Sequence, residues 1–242
     1  MKILTLLIAL ATSLSAQIPA KSRQVIIGIA ESWGSSHVTL SMFEKNSSGQ
    51  WQIDGKAWKG RLGRNGLAWG LGIHPIPTTG LIKKEGDGKA PAGIFSIGTA
   101  YGYAKSIKKR PSQVYRRITT RDLWVEDSSS PHYNSHLVIN YEPRSAFEKA
   151  AQMRQNDYAH SLKLFIGHNA PTATKRAIPR AGSAIFFHIW RGGGSRPTAG
   201  CTTMHPDQLK LLISKIDPAK QPVYILLPKA EYLKLRTRWK LP

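Results

Sequence analysis

SAIFFHIW, residues 183–190, is the stretch of sequence that most strongly constrains the fold. In a β-strand, alternate side chains share a face, so Phe186 and His188 lie on one side and Phe187 and Ile189 on the other. Both sides are apolar, which indicates a central strand that is covered on both faces. His188 is the polar exception, and it comes close to the end of the strand.

Short apolar runs of the same kind surround this segment. Apolar and polar residues alternate from Val38 to Met42, the run 94–97 follows a glycine-rich turn, and PVYILLP, residues 222–228, has the composition of a buried strand. Glycine or proline separates most of these runs, as expected between strands. The pattern predicts a mainly β fold with a few helices.

Two internal segments have helical signals. In residues 145–154, Ser145 is a plausible N-cap, and Phe147, Ala150 and Ala151 are expected on one side of the helix. Residues 206–216 begin with proline at the first helical position and carry an apolar stripe.

The N-terminus has the features of a secretory signal peptide. Lys2 precedes an apolar run over residues 3–11, and small residues follow up to Ala16. The alternative is an uncleaved membrane anchor, but the run is short for a bilayer span. We therefore expect a signal peptide over 1–16 and a single folded domain over 17–242. Its core is expected over about 24–228, and its basic, helical tail over 229–242.

The chain is strongly basic, with 35 Lys and Arg against 14 Asp and Glu and a formal charge of +21. For an exported monomer, this charge favours attraction to the anionic surface of the cell envelope, in the periplasm or at the wall. The signal peptide and the even scatter of basic residues argue against nucleic acid as the partner.

Cys201 is the single cysteine of the chain, so it has no intramolecular disulfide partner. A lone cysteine in an oxidising compartment is an intermolecular link, an inert buried thiol or a reactive group. A glycine-rich loop, 192–194, connects the His188 strand to Cys201. This order lets an imidazole approach a thiol and activate it. The alternative is a buried cysteine and a core histidine that never meet.

GSAIFFHIW at 182–190 and TAGCTTM at 198–204 together resemble the L,D-transpeptidase catalytic-domain family. The segments GRNGLAWG, KKEGDGKAPAGIFSIG and SPHYN extend the resemblance over roughly residues 24–242. The motif places Thr198, Gly200, Cys201 and Thr203 after His188. This sequence departs from the usual pattern in its shorter gap, in Ala199 where histidine is common, and in Thr203 where asparagine is common.

The resemblance implies a β-sandwich or β-barrel domain that transfers acyl groups on peptidoglycan stem peptides. Cys201 would attack the carbonyl of the third residue and release D-alanine, with His188 as base and then acid. The carbonyl of Ile189 would orient the imidazole, and backbone N–H groups around Gly200 and Thr202 would hold the oxyanion. Alternatives are an L,D-carboxypeptidase, in which water is the acceptor, and a non-catalytic wall-binding protein.

Further residues are candidates for substrate binding. Trp190 would stack on the substrate, Arg191 or Arg196 would pair with a carboxylate, and His168 would line the same cleft. Each has an ordinary alternative as a core or solvated side chain. Thr198 and Thr203 of the motif are further candidates for substrate binding. His132 and His136 in HYNSH are four positions apart, a spacing that suits metal binding on a helix, but no second ligand cluster is evident. We expect no metal and no cofactor, with a zinc-dependent wall peptidase as the alternative.

Overall fold

The structure is a computed structural model that describes residues 17–77 and 79–242. The expected signal peptide, residues 1–16, lies outside the described residues. The described strands are β1 (Gln24–Ala30), β2 (His37–Lys45), β3 (Trp51–Ile53), β4 (Trp58–Arg61), β5 (Leu67–Trp69), β6 (Ala90–Gly102), β7 (Tyr115–Arg117), β8 (Asp122–Trp124), β9 (His136–Val138), β10 (Leu162–Ile166), β11 (Phe186–Ile189), β12 (Thr202–Met204) and β13 (Val223–Pro228). The described α-helices are α1 (Ala146–Ala150), α2 (Pro206–Lys215) and α3 (Lys229–Trp239).

One large sheet carries most of these strands, in the order β1-β13-β6-β10-β11-β12-β4-β2-β3. Because β1 pairs with both β13 and β2, the path returns on itself and gives a barrel-like sheet. Strands β5 and β7 attach to β6, and β8 and β9 form a separate two-stranded sheet. The prediction of a mainly β domain of sandwich or barrel type is confirmed.

The sheet encloses the main hydrophobic core, in which Phe95, Phe187 and Tyr224 are each at most 1% exposed. Burying side chains of this size contributes roughly 1.5–3 kcal/mol each. Phe186 instead joins a second cluster on the opposite face of β11, with Tyr101 and Trp124. Strand β11 is therefore covered on both faces and central in the sheet, as its composition predicts.

The helices meet the predictions unevenly. In α2, Pro206 occupies the first turn and the apolar stripe is buried against the core. In α1, Ser145 is the N-cap and forms a capping box with Glu148, as expected of such a start. However, α1 ends at Ala150 and buries none of its own residues, and Phe147 is 42% exposed. The helix is therefore shorter than the predicted segment 145–154, and Ala151, its C-cap, is buried.

The C-terminal segment is helical as predicted, but it is not separate from the core. Trp239 is 4% and Leu241 is 8% exposed, and both belong to the main hydrophobic cluster. The N–H of Ile18 donates a hydrogen bond to the carbonyl of Trp239 at 3.1 Å. The core therefore extends beyond the predicted limits of about 24 and 228 at both ends.

Candidate active site

The candidate active site lies where β11 and β12 run side by side. The two strands are parallel, with Phe187 opposite Thr202 and His188 opposite Thr203. Cys201 directly precedes β12, and the Phe186 N–H donates a hydrogen bond to its Sγ at 3.4 Å. Residues opposite each other, and those two positions apart, share one face of a sheet. His188 and Cys201 therefore project from the same face, which favours the arrangement in which the imidazole approaches the thiol.

The imidazole of His188 is oriented by its own strand. The side chain is 5% exposed, and Nδ1 lies 2.9 Å from the carbonyl oxygen of Ile189. A carbonyl oxygen only accepts, so Nδ1 carries the proton and Nε2 keeps its lone pair. Burial, helped by the neighbouring His160, lowers the pKa of His188 to about 3. The imidazole is therefore neutral at physiological pH and able to accept a proton at Nε2.

The thiol of Cys201 is also neutral in this environment. Its Sγ donates to the carbonyl of Ala184 at 3.4 Å while accepting from Phe186. Burial raises the pKa of Cys201 to about 11. The resting site is thus a thiol beside a neutral imidazole rather than a thiolate–imidazolium pair.

The loop between His188 and Cys201 is fixed by its backbone conformation. Gly192, Gly193 and Gly194 all have positive φ, at 57°, 59° and 90°, a region that glycine adopts without strain. Farther along, the Thr198 hydroxyl accepts from the Gly200 N–H at 3.0 Å and donates to the Cys201 carbonyl at 2.7 Å. These two hydrogen bonds hold the main chain on both sides of the thiol.

Gly200 has no room for a side chain. Its φ is +155°, and a Cβ there would lie 2.9 Å from the carbonyl oxygen of Lys89. This close approach explains the glycine that precedes the cysteine.

His188 and Cys201 open on one cavity of about 340 Å³. Its lining also includes Gly200, the lysines Lys83 and Lys163, and the carboxylates Glu85 and Glu126. Two larger cavities, of about 770 and 630 Å³, contain neither His188 nor Cys201. The candidate site is therefore identified by the presence of His188 and Cys201 and not by the volume of its cavity.

The structure does not bring every predicted residue to this cavity. His168 is fully buried elsewhere, accepting from the Leu71 N–H at 3.1 Å and donating to the Ala181 carbonyl at 2.9 Å. Both ring nitrogens are thus occupied, and the expectation that it lines the cleft is corrected. Trp190 also lies outside the cavity lining, packed edge-to-face on His205 at 5.7 Å.

The remaining predicted substrate residues have other contacts. Arg191 pairs with Asp157 at 2.6 Å, and Arg196 is exposed on the loop. Thr198 acts on the main chain around Cys201 instead of lining the cavity. Thr203 is buried, and its hydroxyl has no hydrogen-bond partner among the described residues.

Two residues of the site were missed by sequence reasoning. Lys163 lies opposite His188 across the β10–β11 pair and lines the cavity. Its signal was present, as the one charge in the otherwise apolar strand LKLFI. The ring of His160 stacks on that of His188 with centroids 4.9 Å apart. His160 lies in a turn, where no periodic pattern indicates which way a side chain points.

In residues 17–77 and 79–242, no three His, Cys, Asp or Glu side chains are grouped so as to hold a metal ion. In HYNSH, His136 instead lies 2.8 Å from the carboxylate of Asp122. In the same described residues, no helix combines the length and the apolar character of a membrane span.

Comparison with known proteins gives two matches. The tryptophan synthase alpha chain of a Polaromonas species is 20% identical over 156 residues, which is 64% of this chain and 53% of that protein. This chain thus spans about half the length of that curated relative, and such low identity shows neither family nor activity. Residues 61–225 match the L,D-transpeptidase catalytic domain (YkuD), a region that holds both His188 and Cys201. The chain belongs to the L,D-transpeptidase catalytic-domain family.

Proposed function

We propose that this protein is an exported peptidoglycan L,D-transpeptidase in which Cys201 is the nucleophile and His188 its base. The observation that carries the proposal is the position of the half-buried Cys201 thiol on the same face of the sheet as an imidazole whose Nδ1 donates to a backbone carbonyl. Both side chains open on one cavity, in a chain that belongs to this family.

The first half-reaction forms a thioester. As Sγ of Cys201 attacks the carbonyl of the third stem residue, its proton passes to Nε2 of His188. The thiol of Cys201 is a weaker acid than the imidazolium of His188, so the proton does not move to His188 in the resting enzyme. Attack and proton transfer therefore occur together, in the substrate complex. The negative charge that develops on the carbonyl oxygen is stabilised by backbone N–H groups around Gly200 and Thr202. His188 then protonates the departing D-alanine amine.

The second half-reaction releases the acyl group. An amine of a neighbouring stem peptide attacks the thioester and gives its proton to His188, and the thiol of Cys201 is restored. Water in place of the amine gives L,D-carboxypeptidation by the same steps. The predicted signal peptide and the charge of +21 support action at the envelope, in the periplasm or at the wall.

The experiment incubates residues 17–242 with tetrapeptide muropeptides and reads the products by mass spectrometry. Cys201→Ala is expected to abolish turnover and acyl-enzyme formation, and His188→Ala to lower the rate by about 10²–10⁴. The double variant should be little worse than Cys201→Ala, since the two residues act as a unit. The product mass distinguishes an amine acceptor from water.

Thr203→Val is the matched control, because it changes a buried residue opposite His188 whose hydroxyl has no described partner. We expect it to stay within a few-fold of the wild-type rate. Wild-type turnover by Cys201→Ala would refute the proposal. Sacculus binding without turnover, and without covalent labelling of Cys201 by a carbapenem, would favour a non-catalytic wall-binding protein.

A further inference from the structure

Lys163 occupies a defined place beside the two reacting groups. On β10 it lies opposite His188 of β11, and Cys201 lies at the start of β12, the next strand along. All three side chains project from one face of the sheet. Neighbouring strands are about 4.8 Å apart. The strand order therefore sets out the thiol, the imidazole and an ammonium group in sequence across the cavity.

The ammonium of Lys163 has no anionic partner in the part of the chain that the structure describes. The residue is 4% exposed, and Nζ donates to the Met153 carbonyl at 2.8 Å and lies 5.6 Å from the Phe186 ring centroid. No described Asp or Glu comes within 4.0 Å of it. A buried charge without a partner is unfavourable, so its presence in a cavity requires an explanation.

Lys83 provides the contrast within the same cavity. It is 3% exposed, but its ammonium forms an ion pair with Asp87 and also donates to the carbonyl of Lys84. Arg191, which lies outside the cavity lining, is likewise paired with Asp157. Lys163 is thus the cavity cation whose charge remains available to an incoming anion.

Lys163 carries this charge at neutral pH. Burial lowers its pKa to about 8, while Asp157 and Glu126 in its surroundings act in the opposite direction. His188, with its own pKa far below neutrality, contributes no positive charge beside it.

We propose that Lys163 binds the carboxylate of the D-amino acid that the enzyme releases from its donor peptide. This inference rests on the proposed function. In a donor that ends one residue after the reacting carbonyl, the carboxylate carbon is two bonds beyond the departing nitrogen. When the reacting carbonyl of the donor lies at Cys201 and its departing nitrogen lies at His188, the C-terminal carboxylate of the donor points toward β10 and Lys163. Lys163 would therefore select donors that end one residue beyond the bond that is broken.

The anion site is tested first without peptidoglycan, by alkylation of Cys201 at pH 7 with iodoacetate and with the neutral iodoacetamide. Both reagents react with the thiolate, so the ratio of the iodoacetate rate to the iodoacetamide rate does not depend on the thiolate fraction. This ratio reports the charge around Sγ of Cys201. In Lys163→Met and Lys163→Gln we expect the ratio to fall roughly tenfold. The glutamine variant keeps a donor for the Met153 carbonyl, so it removes the charge with less disturbance of packing.

Lys229→Met is the control, because it removes the same charge from the exposed first turn of α3, outside the cavity lining. Its ratio is expected to equal that of the wild type. An unchanged ratio in both Lys163 variants would overturn the anion site.

The specificity is then tested with a tetrapeptide donor and its C-terminal amide. The wild type should have a roughly tenfold higher kcat/KM for the acid than for the amide, and in both Lys163 variants the ratio of the two values should fall toward one. A preference that survives in Lys163→Gln would overturn the inference and leave the proposed function standing. No wild-type turnover of either peptide, together with an alkylation ratio that depends on Lys163, would instead refute the proposed function and retain the anion site.

Discussion

At the scale of single residues, burial determines the charge states of Cys201 and His188, the proposed nucleophile and base. The same low-dielectric environment that raises the pKa of Cys201 to about 11 lowers that of His188 to about 3. Both shifts favour neutral forms, so the thiol is protected until a substrate occupies the cavity. A resting thiolate would be more exposed to oxidation. The site therefore combines a potential nucleophile with low reactivity at rest.

These charge states predict the pH dependence of thiol reactivity. Because a raised pKa reduces the thiolate fraction at any given pH, alkylation of Cys201 by iodoacetamide should be slow at pH 7. Its rate should rise about tenfold per pH unit and level off only near the thiol pKa of about 11. A small free thiol, measured alongside, should level off near its own pKa of about 8.5. A plateau for Cys201 below pH 7 would instead show a resting thiolate–imidazolium pair.

The site residues that the sequence identifies carry a local signal in composition or pattern. Cys201 and His188 are exceptional in composition or pattern, as the single cysteine and as a histidine in an apolar strand. Lys163 has the same kind of signal, a charge in an apolar strand, which could have been used. His160 and His168 have none, because which of them stacks on His188 depends on contacts between distant segments.

At the scale of elements, the connection from β11 to β12 determines where the thiol lies. The order of strand, glycine loop and cysteine was predictable, but β12 was not. It has three residues, too few for an alternating pattern, and its pairing with β11 and β4 is non-local. The register of that pairing places Cys201 two positions from His188 on one face of the sheet.

The three loop glycines allow a matched test of this connection. A Cβ at Gly193 would meet nothing within 4 Å, whereas one at Gly194 would lie 2.8 Å from the ring of Trp190. The backbone N–H of Trp190 in turn donates a hydrogen bond to the carbonyl of Met204 at 3.0 Å, at the end of the β11–β12 pair. Gly194→Ala should therefore lower kcat/KM by at least about tenfold through misplacement of the thiol.

Gly193→Ala is the control for backbone strain alone. Its left-handed conformation should reduce the free energy of unfolding by roughly 1–2 kcal/mol, with kcat/KM within about threefold of the wild type. Thermal melts and muropeptide turnover of both variants provide the comparison. Equal losses of turnover in the two variants would show that the contact with Trp190 does not position the site.

At the scale of the whole molecule, closure of the sheet depends on contacts that no local pattern reveals. Strand β1 pairs with β13, nearly two hundred positions away in the sequence, and α3 returns to bury Trp239 in the same core. Alternation along each strand predicts the class of fold, but strand order and the docking of a basic C-terminal helix arise from packing. The net charge, by contrast, is fully given by the sequence.

That charge leads to a prediction about the envelope. At +21, the protein should be attracted to purified sacculi, whose stem peptides carry carboxylates. Attraction between exposed charges is screened over about 10 Å at 0.1 M ionic strength and about 3 Å at 1 M. Pull-down of residues 17–242 with sacculi should therefore weaken roughly tenfold or more between low and high salt. Cys201→Ala has the same net charge and lacks the proposed nucleophile, so it should bind with the same salt dependence as the wild type. Binding that does not change with salt would show that contacts within the cavity, rather than the overall charge, hold the protein on the wall.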